Sequence, residues 1–258
     1  MEETKMIGIF DSGVGGLTVF KEIATLLPNE DIIYLGDTKQ FPYGNKSKET
    51  IVELAKKNIE FLIKKQVDLV VIACGTATSQ AIEEVKRKYQ IPIVGIIDPT
   101  ILELQNQNLK SIGVIATTGT IRSNAWEKEI KKKMPQVEVI NQACPLLAQM
   151  AEEGWISNKI AKYTIEEYLK VFHSIPIQKL ILGCTHYPLF TKLIQKELGE
   201  QVEIINTGKN VAKYLQKILP KKGERKPRYE FYLTDMETEF LRVANNLLQQ
   251  KIEIKLMM

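Results

Sequence analysis

The chain has 258 residues, of which 44% are hydrophobic and 26% are charged, and its formal net charge is +4. This globular composition suits one large or two small domains with a full hydrophobic core, and it excludes a disordered chain. The three cysteines form neither a disulfide framework nor a metal-ligand spacing, so we expect a reducing compartment and no metal ion.

The sequence gives no sign of a membrane or secreted protein. No apolar run approaches the ~18 residues that span a bilayer, and the acidic, polar start MEETK differs from a signal peptide. Basic residues are spread over the predicted helix faces, with short runs at 131–133 and 221–228. This spread favours solvated surfaces over a nucleic-acid interface. We therefore expect a cytoplasmic protein.

Short apolar runs alternate along the chain with amphipathic helical stretches. The predicted strands span residues 6–10, 31–35, 69–73, 92–96, 111–116, 137–140, 180–182 and 202–205. The predicted helices span residues 16–27, 48–65, 79–89, 123–133, 157–172 and 189–198. A strand at 229–233, a helix at 237–249 and a last strand-like run follow. The alternation predicts an α/β fold with parallel sheets, and the continuous apolar strands predict sheets covered on both faces.

The chain also contains an internal repeat. The segment IGIF at 7–10, a polar turn, a helix and Pro28 match IGVI at 112–115, a polar turn, a helix and Pro135. Each opening strand is followed at a similar distance by a strand that ends on a cysteine. The repeat predicts two doubly wound parallel-sheet lobes related by a pseudo-twofold axis, with the active site in the cleft between them.

The lobes are predicted from this repeat. Residues 1–98 together with 209–258 form the first lobe, which carries Cys74, and residues 99–208 form the second lobe, which carries Cys184. The first boundary is placed near the Asp98-Pro99-Thr100 segment, and the C-terminal tail is expected to return to the first lobe.

A glycine-rich turn, DSGVGG at 11–16, follows the first strand and opens a helix. Its amides suit an anion, and its glycines allow close approach of the backbone to a ligand. The turn is neither the dinucleotide fingerprint nor a Walker A loop, because no lysine follows the last glycine. A carboxylate is therefore the expected ligand.

Cys74 and Cys184 each stand between a strand end and a helix start. A helix N-terminus lowers the pKa of a thiol, so both are candidate acid–base groups. Two thiols from equivalent positions can face each other across one substrate carbon. One thiolate then takes a proton while the other thiol returns one on the opposite face, which is the chemistry of a racemase that needs no cofactor. Cys144 has no equivalent partner and is predicted to lie in the core.

Polar residues near the two cysteines complete the predicted site. Thr76 and Thr185 offer hydroxyls and amides to a carboxylate, and His186 is close enough to act on Cys184. Asp11 is the matching candidate for Cys74 or for a substrate ammonium group. The further candidates are Thr117 and Thr120, at the second lobe's counterpart of the glycine-rich turn, and Glu152, at a helix end.

The residues resemble the aspartate/glutamate racemase family, and within it the glutamate racemases, over nearly the whole chain. The matching segments are FDSGVGGLTV at 10–19, YLGDT at 34–38, FPYG at 41–44, AC at 73–74, TAT at 76–78, IAT at 115–117, GT at 119–120 and GCTHYP at 183–188.

The resemblance implies a cytoplasmic, commonly homodimeric isomerase that interconverts L- and D-glutamate for peptidoglycan, and so for cell-wall biogenesis and cell shape. It implies two catalytic cysteines and no pyridoxal phosphate or metal. Cys74 would act on the D-enantiomer with the support of Asp11, and Cys184 on the L-enantiomer with the support of Glu152 and His186. The residues expected to hold substrate are Asp11, Ser12, Pro42, Tyr43, Gly44, Gly75, Thr76, Thr117, Thr120, Thr185 and His186.

Gly75 departs from the family pattern, which usually has asparagine between the cysteine and the threonine. The lost hydrogen bond to a charged group predicts binding weaker by roughly 1.5–3 kcal/mol unless another group replaces it. This change leaves two alternatives open, namely an aspartate or related racemase and a catalytically weakened binding protein. The CTHYP string at 184–188 favours glutamate. A lesser departure is Asn206, where an acidic residue is more usual.

Overall fold

A computed structural model describes residues 6–220, 223–236 and 238–257. Its strands lie in two sheets, and every strand pair is parallel. The strands are β1 (Met6–Asp11), β2 (Asp31–Gly36), β3 (Leu69–Ile72), β4 (Ile93–Gly95), β5 (Ser111–Ala116), β6 (Glu138–Ala143), β7 (Lys179–Leu182), β8 (Glu203–Asn206), β9 (Tyr229–Leu233) and β10 (Ile254–Leu256).

The strand order repeats between the two sheets. The first sheet has the order β10-β9-β2-β1-β3-β4, and the second has the order β6-β5-β7-β8. The four strands β2-β1-β3-β4 therefore correspond one by one to the whole second sheet. The predicted α/β class with two parallel sheets is confirmed. The tail strands β9 and β10 extend the first sheet beside β2, whereas the exact lobe limits stay a prediction.

Helices connect the strands and cover the sheets. They are α1 (Gly16–Leu26), α2 (Lys48–Lys64), α3 (Gly75–Lys88), α4 (Ile97–Leu104), α5 (Thr118–Arg122), α6 (Ala125–Lys133), α7 (Pro145–Glu152), α8 (Lys159–Ser174), α9 (Thr191–Leu198), α10 (Thr207–Ile218) and α11 (Thr238–Leu248). The predicted segment Asp98-Pro99-Thr100 lies within α4. No helix in the described ranges is long and apolar enough to cross a bilayer.

Helix α10 is absent from the sequence prediction. Its N-cap is Asn206, whose Oδ1 accepts hydrogen bonds from the amides of Gly208 and Lys209 at 3.0 and 3.4 Å. The Asn206 Nδ2 also donates to Glu22 Oε1 at 2.9 Å, which joins α10 to α1. Asparagine is among the preferred N-cap residues, so the unusual residue at this position has a structural role.

Buried side chains on both sheet faces form the core. Ile9 of β1 and Val114 of β5 belong to one hydrophobic cluster that is continuous between the two sheets and includes Trp126 of α6. Phe10, on the opposite face of β1, packs in a separate cluster with residues of α2 and α3. This continuity brings the carboxyl ends of β1, β3, β5 and β7 close together, and ligands of parallel sheets bind at such ends.

Candidate active site

Cys74 and Cys184 line one small cavity where the two halves meet. They are 4% and 5% exposed, and the cavity volume is about 20 Å³, room for about one water molecule. The residues that line it are Ser12, Phe41, Pro42, Tyr43, Gly44, Cys74, Gly75, Thr76, Thr117, Ala148, Cys184, Thr185 and His186. The structure thus brings together most of the predicted site residues; Asp11, Thr120 and Glu152 lie behind the lining.

Cys74 lies between β3 and the first residue of α3. Its thiol donates a hydrogen bond to Ser12 Oγ at 3.8 Å. Burial, and then the negative charge of Asp11, raises the pKa of the Cys74 thiol despite a hydrogen bond to the amide of Ala77. The expected lowering of this pKa by the helix N-terminus is therefore wrong, because desolvation of the thiolate outweighs the nearby amides. Cys74 is held as a neutral thiol.

Cys184 is the first of three side chains that contact one another in series. His186 Nδ1 lies 3.6 Å from Cys184 Sγ, and His186 Nε2 lies 2.6 Å from Glu152 Oε1. Burial opposes charge on the imidazole, but the hydrogen bonds to Cys184 and Glu152 outweigh it and raise the pKa of His186 above its ordinary value. A charged imidazole donates from both ring nitrogens. Charged His186 therefore donates to the Cys184 sulfur from Nδ1 and to the Glu152 carboxylate from Nε2.

The glycine-rich turn binds carboxylates of the protein itself. Asp11 Oδ1 accepts hydrogen bonds from the amides of Gly13 and Gly16 at 3.1 and 3.0 Å. Glu152 Oε1 accepts from the amide of Val14 at 2.8 Å. The sequence predicts that these amides bind a carboxylate. In the structure, the side chains of Asp11 and Glu152 supply that carboxylate to three of the amides.

Asp11 connects its own half of the molecule to Thr185 in the other half. Thr185 Oγ1 donates to Asp11 Oδ2 at 3.0 Å. Burial raises the pKa of Asp11, although the positive charge of His186 and the hydrogen bonds from Gly13 and Thr185 oppose this. No hydrogen bond joins Asp11 to Cys74 in the part of the chain that the structure describes. Asp11 acts on Cys74 through its charge and fixes Thr185 directly.

Three threonine hydroxyls form a second connection between the halves. Thr76 Oγ1 of α3 lies 2.8 Å from Thr117 Oγ1, which lies 3.0 Å from Thr120 Oγ1 of α5. Beside them, the Gly119 amide donates to the Gly44 carbonyl at 2.9 Å. Thr76 and Thr117 face the cavity, whereas Thr120 orients the other two hydroxyls.

The hydroxyl of Tyr43 forms hydrogen bonds with other side chains of the protein. It donates to Asp37 Oδ2 and accepts from Asn58 Nδ2 at 3.0 Å, while Thr234 Oγ1 donates to Asp37 Oδ1 at 2.8 Å. Burial, and then the charge of Asp37, raises the pKa of Tyr43. Tyr43 therefore anchors the loop of residues 42–44, which lines the cavity.

Replacement of Tyr43 by phenylalanine tests this anchoring role. We expect Tyr43→Phe to lower the free energy of unfolding by about 1–3 kcal/mol, because Asp37 and Asn58 lose a buried partner. Urea unfolding would measure the change, with Tyr163→Phe as the control, since Tyr163 is 64% exposed. An unchanged urea midpoint together with a raised KM would instead assign the hydroxyl to substrate binding.

Two lining residues were absent from the predicted site. Phe41 faces His186, with ring centroids 5.7 Å apart, and its place in the FPYG segment was the available signal. Ala148 projects from α7, the helix at whose end the sequence predicts Glu152. Among the described residues, no three or more His, Cys, Asp and Glu side chains are grouped as a metal ion would require.

The chain is similar to known proteins over nearly its whole length. Residues 7–215 match the family described as Asp/Glu/Hydantoin racemase. A glutamate racemase of Aquifex aeolicus is 44% identical over 251 residues, which cover 97% of this chain and 96% of that protein.

Solved structures agree with this relationship. Glutamate racemase from Francisella tularensis in complex with D-glutamate aligns with a TM-score of 0.91 and 39% identity, covering 99% of this chain and 98% of that one. A glutamate racemase of Bacillus anthracis aligns with a TM-score of 0.93 and 34% identity over the same shares. The chain therefore belongs to the Asp/Glu/Hydantoin racemase family and is an isomerase that acts on amino acids.

Proposed function

We propose that the protein is a cofactor-independent glutamate racemase that supplies D-glutamate for peptidoglycan. The observation that carries the proposal is the pair of buried cysteines, Cys74 and Cys184, on the wall of one small cavity. The relatives in the preceding section are named glutamate racemases. Their similarity supports glutamate rather than aspartate as the substrate.

The polar groups of the cavity indicate how glutamate would lie. The α-carboxylate would face the hydroxyls and helix-start amides of Thr76 and Thr185. The side-chain carboxylate would point toward Ser12 and the backbone of residues 42–44. This placement leaves the α-carbon between the two sulfur atoms, where both thiols can reach it.

In the L-to-D direction, Cys184 would act as the base and Cys74 as the acid. A cation beside a sulfur is a common way to hold a thiolate, and His186 offers that cation at 3.6 Å. The Cα–H bond breaks as an S–H bond forms on Cys184. The Cys74 S–H bond then breaks as a new Cα–H bond forms on the opposite face. The D-to-L direction reverses these steps.

The small, largely buried cavity supports proton transfer at carbon. A thiol and a carbon acid exchange protons slowly in water, and a site without bulk water strengthens every charge interaction with the developing carbanion. The hydroxyl network of Thr76, Thr117 and Thr120 spans both halves. Glutamate therefore enters when the halves separate, and the halves close again around it.

We also propose the wider setting that the family resemblance implies, a cytoplasmic homodimer. Each chain would fold as a first lobe of residues 1–98 and 209–258 and a second lobe of residues 99–208. The membership of β9 and β10 in the first sheet supports this division. Sedimentation equilibrium of the purified protein would measure the oligomeric state, and a concentration-independent monomer would contradict the dimer.

The proposed reaction is tested by solvent exchange in deuterated buffer. We expect the α-proton signal of both L- and D-glutamate to disappear from the NMR spectrum while the circular dichroism of each decays to zero. Aspartate is one methylene shorter, and such a difference is worth about 10–200-fold in rate. Faster exchange of aspartate would reassign the substrate, and no exchange of either would favour a binding protein.

A further inference from the structure

Gly75, the first residue of α3, makes an unusually close approach to the other half of the molecule. A Cβ atom added to Gly75 would lie 2.0 Å from the carbonyl oxygen of Gly183 and 3.1 Å from its carbonyl carbon. Real Cβ atoms essentially never come within 3.0 Å of a heavy atom that is not close to them in the chain. Only glycine therefore fits at this position while the halves stay at their present separation.

Gly183 is closely packed within its own half of the molecule. A Cβ atom on Gly183 would itself lie 2.9 Å from Trp126 Nε1 and 3.0 Å from the Ile115 carbonyl oxygen. The Gly183 amide also donates to that oxygen at 2.8 Å, and Trp126 is 1% exposed. The β7 end is packed from behind, so the strain would be relieved by separation of the two halves.

We propose that Gly75 is the residue that permits full closure of the active-site cleft, and that any side chain there keeps the two halves at least about 1 Å further apart. This inference rests on the proposed racemase function. Gly75 directly precedes Thr76 and follows Cys74, and Gly183 directly precedes Cys184. The contact between the two glycine backbones therefore limits how closely the two halves, and with them the two sulfurs, approach each other.

The same contact accounts for the departure from the family pattern at position 75. Asparagine, like any residue with a Cβ atom, would meet the Gly183 carbonyl oxygen. In this chain that oxygen occupies the space that a Cβ atom at position 75 would need.

The test compares Gly75→Ala and Gly75→Asn with Gly223→Ala. A Cβ atom at Gly223 meets nothing within 4 Å, so this control carries the same chemical change without the contact. Gly75 is helical, and its φ lies outside the positive range. Alanine is a better helix former than glycine, so the Gly75→Ala helix itself is not weakened.

The first readout is alkylation of each cysteine by iodoacetamide, followed by peptide mass spectrometry. We expect Cys74 and Cys184 to react about ten-fold faster in Gly75→Ala, and faster again in Gly75→Asn, because an open cleft exposes both sulfurs. Cys144 is fully buried and reports unfolding within the same molecule. It should stay unreactive in every variant.

The second readout is racemisation. A misplacement of 1 Å can cost about a hundred-fold, so we expect kcat to fall by that factor in Gly75→Ala and to stay unchanged in Gly223→Ala. Wild-type alkylation rates and wild-type kcat in Gly75→Ala would overturn the closure role. Raised alkylation in Gly75→Ala, with no racemisation by the wild-type protein, would preserve closure and reject the proposed function instead.

Discussion

Cys74→Ser and Cys184→Ser are each expected to lower the racemisation of glutamate by about 10³-fold or more. A positioned acid–base group contributes typically 10²–10⁴-fold, and each variant lacks one of the two groups that the reaction requires. A serine hydroxyl keeps the size of the side chain but is too weak an acid to replace a thiol. Circular dichroism of L- and D-glutamate over time would measure both rates.

A substrate that needs one base separates loss of a thiol from loss of the fold. β-Chloroglutamate loses its α-proton and then chloride, so elimination needs only the base on one face. We expect Cys74→Ser to retain elimination from the L-configured analogue and Cys184→Ser to retain it from the D-configured one. Cys144→Ala is the matched control, because Cys144 is equally buried but lies outside the cavity lining. Equal loss of both eliminations in either serine variant would contradict the two-thiol mechanism.

The sequence predicted those parts of the fold that depend on local pattern. Continuous apolar strands such as 69–73 and 111–116 correspond to β3 and β5, because strands buried on both faces need no alternation. The two cysteines were recognisable because the repeat places them after equivalent strands. Helix α10 was missed, since the pattern after β8 opens with the polar residues Asn206 and Thr207.

Other features depend on tertiary contacts that no local pattern contains. The Tyr43 hydroxyl binds Asp37 and Asn58 rather than facing the cavity. The helix start at Cys74 predicts a lowered thiol pKa, but burial reverses it, and Cys74 is buried in a hydrophobic cluster with residues such as Phe10 and Tyr43. The sequence likewise identifies Gly75 as unusual, whereas its contact with Gly183 arises only when the two halves meet.

His186→Gln is expected to lower kcat/KM by about 10²-fold, because Cys184 then loses the imidazole that lies 3.6 Å from its sulfur. The loss in kcat/KM must be the same for L- and D-glutamate, since the two enantiomers have equal free energies in water and the equilibrium constant is unity. The individual kcat values are free to differ. We expect the larger fall in kcat for L-glutamate, the enantiomer that Cys184 deprotonates in the proposed mechanism.

Glu152→Gln tests the charge on the same histidine through the pH profile. The hydrogen bond and negative charge of Glu152 help to raise the pKa of His186, so the variant should have a lower His186 pKa. If racemisation requires charged His186, the fall of kcat/KM at high pH begins at a lower pH in Glu152→Gln.

The matched control for this profile is Glu153→Gln, because Glu153 is the exposed neighbour on the same chain segment. Its pH profile should match that of the wild type.

A raised pKa in the folded state stabilises the protein below the ordinary histidine pKa of about 6.5. This stabilisation is lost as the pH rises through the raised pKa. The urea midpoints of wild type and Glu152→Gln should therefore differ more at about pH 6 than at high pH. Identical pH profiles of kcat/KM in wild type and Glu152→Gln would show that Glu152 positions the imidazole without controlling its charge.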